Sequence, residues 1–163
     1  MVKPLIALLF ALAAAGCAGT PSAREGKVAP AVIEVVIKAD PQLNQFQKNS
    51  HALLLCLYQL KDPDGFRQLA QDKAGASRLM ECARFDETVV NAGQVVVQPG
   101  QELRQIRSRG EGARYLGIAT GYYSLGKKRV TQLSAISTEN GAAAPTVVRI
   151  ELGAHEITNV RVE

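Results

Sequence analysis

The sequence predicts a mainly β chain: an antiparallel β-sandwich with a short helical insertion after the second strand. From Arg84 onward, short runs rich in Val, Ile, Thr and Tyr recur at the roughly 8–12-residue spacing typical of sandwiches. Turn formers separate them: Asn91-Ala92-Gly93, Pro99-Gly100, Gly110-Glu111-Gly112, Gly126, Asn140-Gly141 and Gly153. The chain's 163 residues suit one domain able to bury a core.

The elements follow in order. Val32–Ala39 is a Val/Ile-rich strand, ended by Asp40-Pro41. Residues Gln42 to Ser50 form a polar loop with Asn44 and Asn49 as turn formers. Ala52–Leu60 is almost continuously apolar and short, which fits a strand buried on both faces. Asp62-Pro63-Asp64-Gly65 opens a short amphipathic helix carrying Phe66, Leu69 and Ala70 to about Asp72. Gly75 interrupts, and a second short helix spans Ala76–Cys82. The predicted strands thereafter are Phe85–Val90, Gln94–Gln98, Glu102–Arg107, Arg114–Tyr123, Arg129–Ser137, Thr146–Leu152 and Ile157–Val162. Tyr115, Gly117, Ala119, Gly121 and Tyr123 share one strand face and read as core packing, the glycines permitting close approach.

Ahead of these elements the chain reads as an address. Lys3 supplies a positive start and Leu5 to Ala15 an unbroken apolar run. As a helix that run reaches about 16 Å, against about 30 Å for a bilayer core, so it is a signal-peptide segment rather than a span. Ala14-Ala15-Gly16-Cys17 resembles a bacterial lipobox, in which Cys17 is acylated and becomes the first mature residue. An ordinary small-residue cleavage site with Cys17 incidental is the alternative. Ala18 replaces the Asp that commonly retains such proteins at the inner membrane, which points to the outer membrane. The predicted domains are therefore 1–16 signal peptide, 17–31 lipidated cysteine and flexible tether, and 32–163 β-sandwich.

Composition narrows the function. Apolar residues make up 47% and charged residues 21%, which excludes a disordered tail protein. The net charge of +4 is scattered and Trp is absent, so no nucleic acid is expected as partner. Phosphate-loop, dinucleotide and nucleophile-elbow motifs are missing. His51 and His155 stand apart from any metal-ligand or catalytic spacing and read as solvated loop residues. Glu81, Asp86 and Glu87 read as exposed carboxylates. The expectation is a non-enzyme with no cofactor, no metal and no small-molecule substrate. Arg104, Arg107, Arg109 and Arg114, with Lys127, Lys128 and Arg129, fall at hairpin ends; they are either solvated charge or a contact for lipid headgroups or an acidic partner. Cys56 and Cys82 can pair in an oxidising compartment, closing a loop worth roughly 3.5 kcal/mol. Two buried free thiols are the alternative.

Several segments together resemble a known family. They are the Val/Ile strand, Asp40-Pro41-Gln42-Leu43-Asn44, Leu57-Tyr58-Gln59-Leu60-Lys61-Asp62, Phe66 opening a helix, Pro99-Gly100, and Tyr115-Leu116-Gly117-Ile118-Ala119 leading to Tyr122. In that order the chain resembles the outer-membrane lipoproteins of type VI secretion systems, the TssJ (SciN-like) family. The resemblance implies a transthyretin-like sandwich and a structural adaptor, lipid-anchored in the outer membrane and facing the periplasm. It also implies a partner, the periplasmic C-terminal domain of the large inner-membrane component, TssM. In the family the first inter-strand loop is a main contact, which carries over to Gln42, Leu43, Asn44, Gln45 and Phe46. The other reading is a general envelope lipoprotein of sandwich fold that binds a small ligand or another envelope protein.

Overall fold

The computed structural model describes residues 31–123, 129–136 and 145–163. Eight strands form two four-stranded sheets, ordered β4-β1-β7-β8 and β3-β2-β5-β6. The strands are β1 (Val32–Ala39), β2 (Leu53–Leu60), β3 (Val89–Val97), β4 (Glu102–Ser108), β5 (Tyr115–Thr120), β6 (Thr131–Ala135), β7 (Thr146–Leu152) and β8 (Ile157–Val162). Two short helices, α1 (Asp64–Ala70) and α2 (Lys73–Leu79), lie between β2 and β3, where the insertion was expected.

The main core lies between the sheets, where Ile33, Val35 and Ile37 of β1 meet Leu53, Leu55 and Leu57 of β2 and Ile118 of β5. A second core lies on the far side of β2. There Cys56, Tyr58 and Leu60 pack beneath Phe66 and Leu79 of the helices. This explains the almost continuous apolar run of β2: helices cover one face and the other sheet covers the opposite one. The Tyr58 hydroxyl donates to the Leu79 carbonyl, tying the end of α2 to the sheet. Burial pushes its phenol up to about 12.

Four expectations need correction. The sandwich is not wholly antiparallel, because β1 runs parallel to β7, with Val36 opposite Arg149. After β1 the chain alternates between the sheets, adding β4 on one flank of β1 and reaching the other flank only with β7, so no hairpin dictates the relative direction of β1 and β7. Asn91-Ala92-Gly93 is not a turn. One strand, β3, runs through it along β2, pairing Gln59 with Asn91, Tyr58 with Ala92 and Leu57 with Gly93. Gly75 does not separate the helices but lies inside α2, where a Cβ would come within 2.3 Å of the Leu69 carbonyl oxygen. Asp72 starts that helix by accepting from the Gly75 N–H at 2.7 Å. Finally, β5 stops at Thr120 and β6 begins at Thr131; Gly121 still donates its N–H to the Leu54 carbonyl and the Val130 carbonyl still accepts from Thr120, but Tyr122 and Tyr123 leave the strand.

Gly117 on β5 faces the helices, as the alternation of that strand predicts. A Cβ there would stand 2.7 Å from Cε2 of Phe66, whose ring is buried. Gly117→Ala is therefore expected to push α1 off the sheet and cost about 1–3 kcal/mol, read as a fall in denaturation midpoint. An unchanged midpoint contradicts the packing argument.

Strand register fixes the ends of the sandwich. Ala39 lies beside Leu152, Lys38 beside Glu102, Leu53 beside Val97, and Leu55 beside Thr120. The β1–β2, β3–β4, β5–β6 and β7–β8 connections therefore gather at one end. Val32, at the start of β1, is at the other end, about 23 Å from Ala39 along the strand.

Candidate partner-docking surface

The loop between β1 and β2 is built by its own hydrogen bonds. Asp40 Oδ1 accepts from the Gln42 N–H at 2.6 Å and the Asp40 carbonyl from the Leu43 N–H at 2.9 Å, closing a tight turn. Leu43 then drops into the core, with 0% of its surface exposed. Asn44 follows in the left-handed region (φ 50), which Asn tolerates better than most residues. Its side chain is buried and used twice: Nδ2 donates to the Ala52 carbonyl at 2.9 Å, and Oδ1 accepts from the Tyr123 N–H at 2.8 Å. Gln45 donates its N–H to the Ala154 carbonyl at 2.8 Å, pinning the loop to the β7–β8 turn.

Beyond that anchor the loop forms a miniature hairpin. Phe46 and Asn49 exchange both backbone hydrogen bonds, at 2.8 and 2.9 Å. Gln47 and Lys48 between them both have positive φ, 49 and 67, the backbone signature of a two-residue hairpin turn. This arrangement presents Phe46 with 46% of its surface exposed. Tyr123, 59% exposed, stands beside it with ring centroids 5.5 Å apart. His51 meets the Tyr123 ring edge-on at 5.1 Å. The result is a three-ring aromatic surface drawn from two connections and held by a buried asparagine. Beneath it, the Tyr122 hydroxyl donates to the carbonyls of Gly153 and Glu156, at 3.1 and 2.9 Å. Burial, followed by the nearby Glu156 and Asp40 carboxylates, raises the Tyr122 phenol's pKa.

The five residues expected to contact a partner thus divide. Gln42 and Phe46 are exposed and Gln45 is half-buried, whereas Leu43 and Asn44 face inward and have little surface to offer. Their burial makes them supports of the loop. Sequence reasoning missed Tyr123, placed in a core strand, and His51, taken as a solvated histidine. The signal that points to them is the Asn44 side chain joining their two connections, which no local pattern contains.

The remaining candidates are scattered. Cys56 and Cys82 are joined in a disulfide, their Cα atoms 5.0 Å apart. Cys17, Lys127 and Lys128 lie outside the described residues. The arginines do not form one patch. Arg104 pairs with Glu34 at 3.0 Å on the outer face, and Arg114 donates to the Lys61 carbonyl at 2.9 Å. Arg109 donates to the carbonyls of Ala113 and Ile136, at 2.7 Å to each, and Arg107 points between the sheets. Among the described residues, no group of three or more His, Cys, Asp or Glu side chains could hold a metal ion. None of their helices is long and apolar enough to cross a membrane.

Comparison with known proteins places the chain. The family model for the type VI secretion lipoproteins, described by the names VasD, EvfM and TssJ, matches residues 31–155. The T6SS lipoprotein TssJ1 from Pseudomonas aeruginosa is similar in fold at a TM-score of 0.66 and 23% identity, over 82% of this chain and 97% of that one. Serratia marcescens Lip, a membrane-bound component of the type VI secretion system, gives 0.62 and 17%, over 82% and 98%. A chain of the structure described as the T6SS protein TssM C-terminal domain from EAEC gives 0.58 and 15%, over 81% and 97%. No curated protein matches. The family match spans the sandwich from β1 into the β7–β8 turn and includes the aromatic surface. The chain belongs to the type VI secretion lipoprotein family, a family of structural lipoproteins and not of enzymes.

Proposed function

We propose that the chain is a structural adaptor of the type VI secretion membrane complex, anchored in the outer membrane through acylated Cys17. In this reading residues 1–16 are removed, 17–31 tether the domain, and the sandwich reaches into the periplasm. Its partner is the periplasmic C-terminal domain of the large inner-membrane component. The observation that carries the reading is the aromatic surface of Phe46, Tyr123 and His51, placed at the end of the sandwich opposite Val32, the start of β1. Similarity to a chain from a TssM C-terminal domain structure, and to one from a type VI membrane complex (TM-score 0.57, 18% identity), supports it. Exposed aromatics held in fixed positions provide contact area at little entropic cost, as binding hot spots do.

The test is calorimetric titration of the mature chain, made soluble by Cys17→Ser, with that periplasmic domain. Phe46→Ala and Tyr123→Ala are each expected to weaken binding by at least about tenfold with the melting temperature unchanged. Asn44→Ala is expected to weaken binding and to cost about 1 kcal/mol or more of stability, because the buried amide's two hydrogen bonds, to the Ala52 carbonyl and from the Tyr123 N–H, are lost together. Wild-type affinity in both aromatic variants moves the interface elsewhere.

A further inference from the structure

The two sides of the sandwich close differently. On one side, the N–H of Ile157 at the start of β8 donates to the Arg129 carbonyl just before β6, at 2.8 Å, so backbone links the sheets. On the other side, β3 and β4 are both edge strands. There Arg107 of β4 turns inward, and its Nη1 lies 2.7 Å from where a Cβ of Gly93 on β3 would stand. Glycine at that position gives the guanidinium room to enter, which accounts for a glycine inside a strand paired along β2.

The inserted guanidinium is incompletely served. Nη2 donates to Gln105 Oε1 at 2.9 Å, but Nε is sealed from solvent and finds no protein acceptor. No carboxylate lies within 4.0 Å of it among the described residues. Beside it is a cavity of about 10 Å³, measured as the space open to a water's centre, lined by aliphatic side chains and by Gln59, Asn91 and Arg107. That is the size of one water, and a buried water needs two to four polar partners. Gln59 already joins the sheets: Nε2 donates to the Ser108 carbonyl at 2.9 Å and Oε1 accepts from the Gly110 N–H at 2.7 Å. A carbonyl oxygen has two lone pairs, so Oε1 can accept once more.

We infer that one ordered water occupies this cavity, accepting from Arg107 Nε and donating to the side-chain oxygens of Gln59 and Asn91. It completes a polar latch between β4 and β2 on the side where, among the described residues, the backbone joins the sheets only at the β3–β4 turn, through Gln101 N–H to the Gln98 carbonyl. An inward-pointing charge on an edge strand also discourages pairing with other chains, so the latch and the edge protection are one device. Water fits the cavity's size and a halide is the competing acceptor.

The mature chain with Cys17→Ser, crystallised to high resolution and soaked in bromide, tests the assignment. A water peak within hydrogen-bond distance of Arg107 Nε, with no anomalous signal there, is expected. A bromide peak, an empty cavity or an outward-pointing Arg107 overturns it. Arg107→Lys keeps the charge and loses Nε. Hydrogen exchange of the β3 and β4 amides bonded to β2 and β1 is expected to quicken by about tenfold, with β6 and β8 unaffected. Unaltered exchange refutes the latch. Should that variant not fold, Asn91→Leu retains the guanidinium and removes one partner. Loss of the water with faster β3 exchange then supports the latch, and wild-type exchange refutes it.

Discussion

Cys17→Ser is expected to move the protein from the membrane fraction almost completely into the soluble periplasmic fraction. The magnitude follows from the proposed acyl anchor. One myristoyl-length chain gives only marginal binding, about 10⁴ M⁻¹, while each buried methylene adds about 0.8 kcal/mol. The three chains of a mature lipoprotein would therefore hold for the life of the protein, and among the described residues no helix is long and apolar enough to cross the membrane in their place. A membrane-bound partner can retain some of the variant, so the experiment needs two hosts. Retention that vanishes when Phe46→Ala is added, or when the secretion complex is absent, is protein-borne. Full membrane retention in a host without the complex contradicts lipidation at Cys17.

Strands with strong local signals were legible in the sequence. β1, β7 and β8 have the predicted bounds because each is a run rich in β-branched residues, with Asp40-Pro41 closing β1 and Gly153 separating β7 from β8. The helical insertion was legible too, from Phe66, Leu69 and Ala70 at helical spacing. What local pattern could not supply were demands made from across the fold. Gly93 resembles half of a turn, yet it answers an arginine from the other sheet. Gly75 looks like a helix breaker but gives α1 and α2 their close approach. Both glycines are explained by a neighbour distant in sequence or belonging to another element.

The candidate docking surface was half legible for the same reason. The resemblance directed attention to the β1–β2 loop, and Phe46 is indeed its exposed aromatic. Polar composition, however, does not distinguish an asparagine that faces solvent from one that holds two connections together. Leu43 and Asn44 shape the surface from beneath, while Tyr123 enters it because β5 ends three residues earlier than its alternation suggests. The Tyr58-Gln59-Leu60 segment, prominent in the resemblance, has a structural explanation. Tyr58 holds the end of α2, Gln59 holds the β4–β5 connection, and Leu60 fills the core under the helices.

The largest expected loss of stability comes from the same strand. Cys56 is fully buried on β2, and Cys82 follows α2 in a left-handed conformation (φ 52). Their bridge closes a loop that contains both helices. Replacing both by alanine is expected to cost about 3.5 kcal/mol on the chain-entropy account, a fall in melting temperature on the order of 10 °C. The loss should be uneven. β1, β4, β7 and β8 share the inter-sheet core and contribute no residue to the helices' own cluster, whereas α1 and α2 are held by the bridge, Tyr58 and a small apolar patch. Hydrogen exchange should therefore quicken first in α1 and α2. Binding through Phe46 and Tyr123 should survive at temperatures where the double variant remains folded, because that surface is built on other connections. Labelling the denatured, unreduced wild type with a thiol reagent should modify neither Cys56 nor Cys82. Full labelling of both contradicts the bridge, and a double variant as stable as wild type removes it from the account of what holds the helices to the sheet.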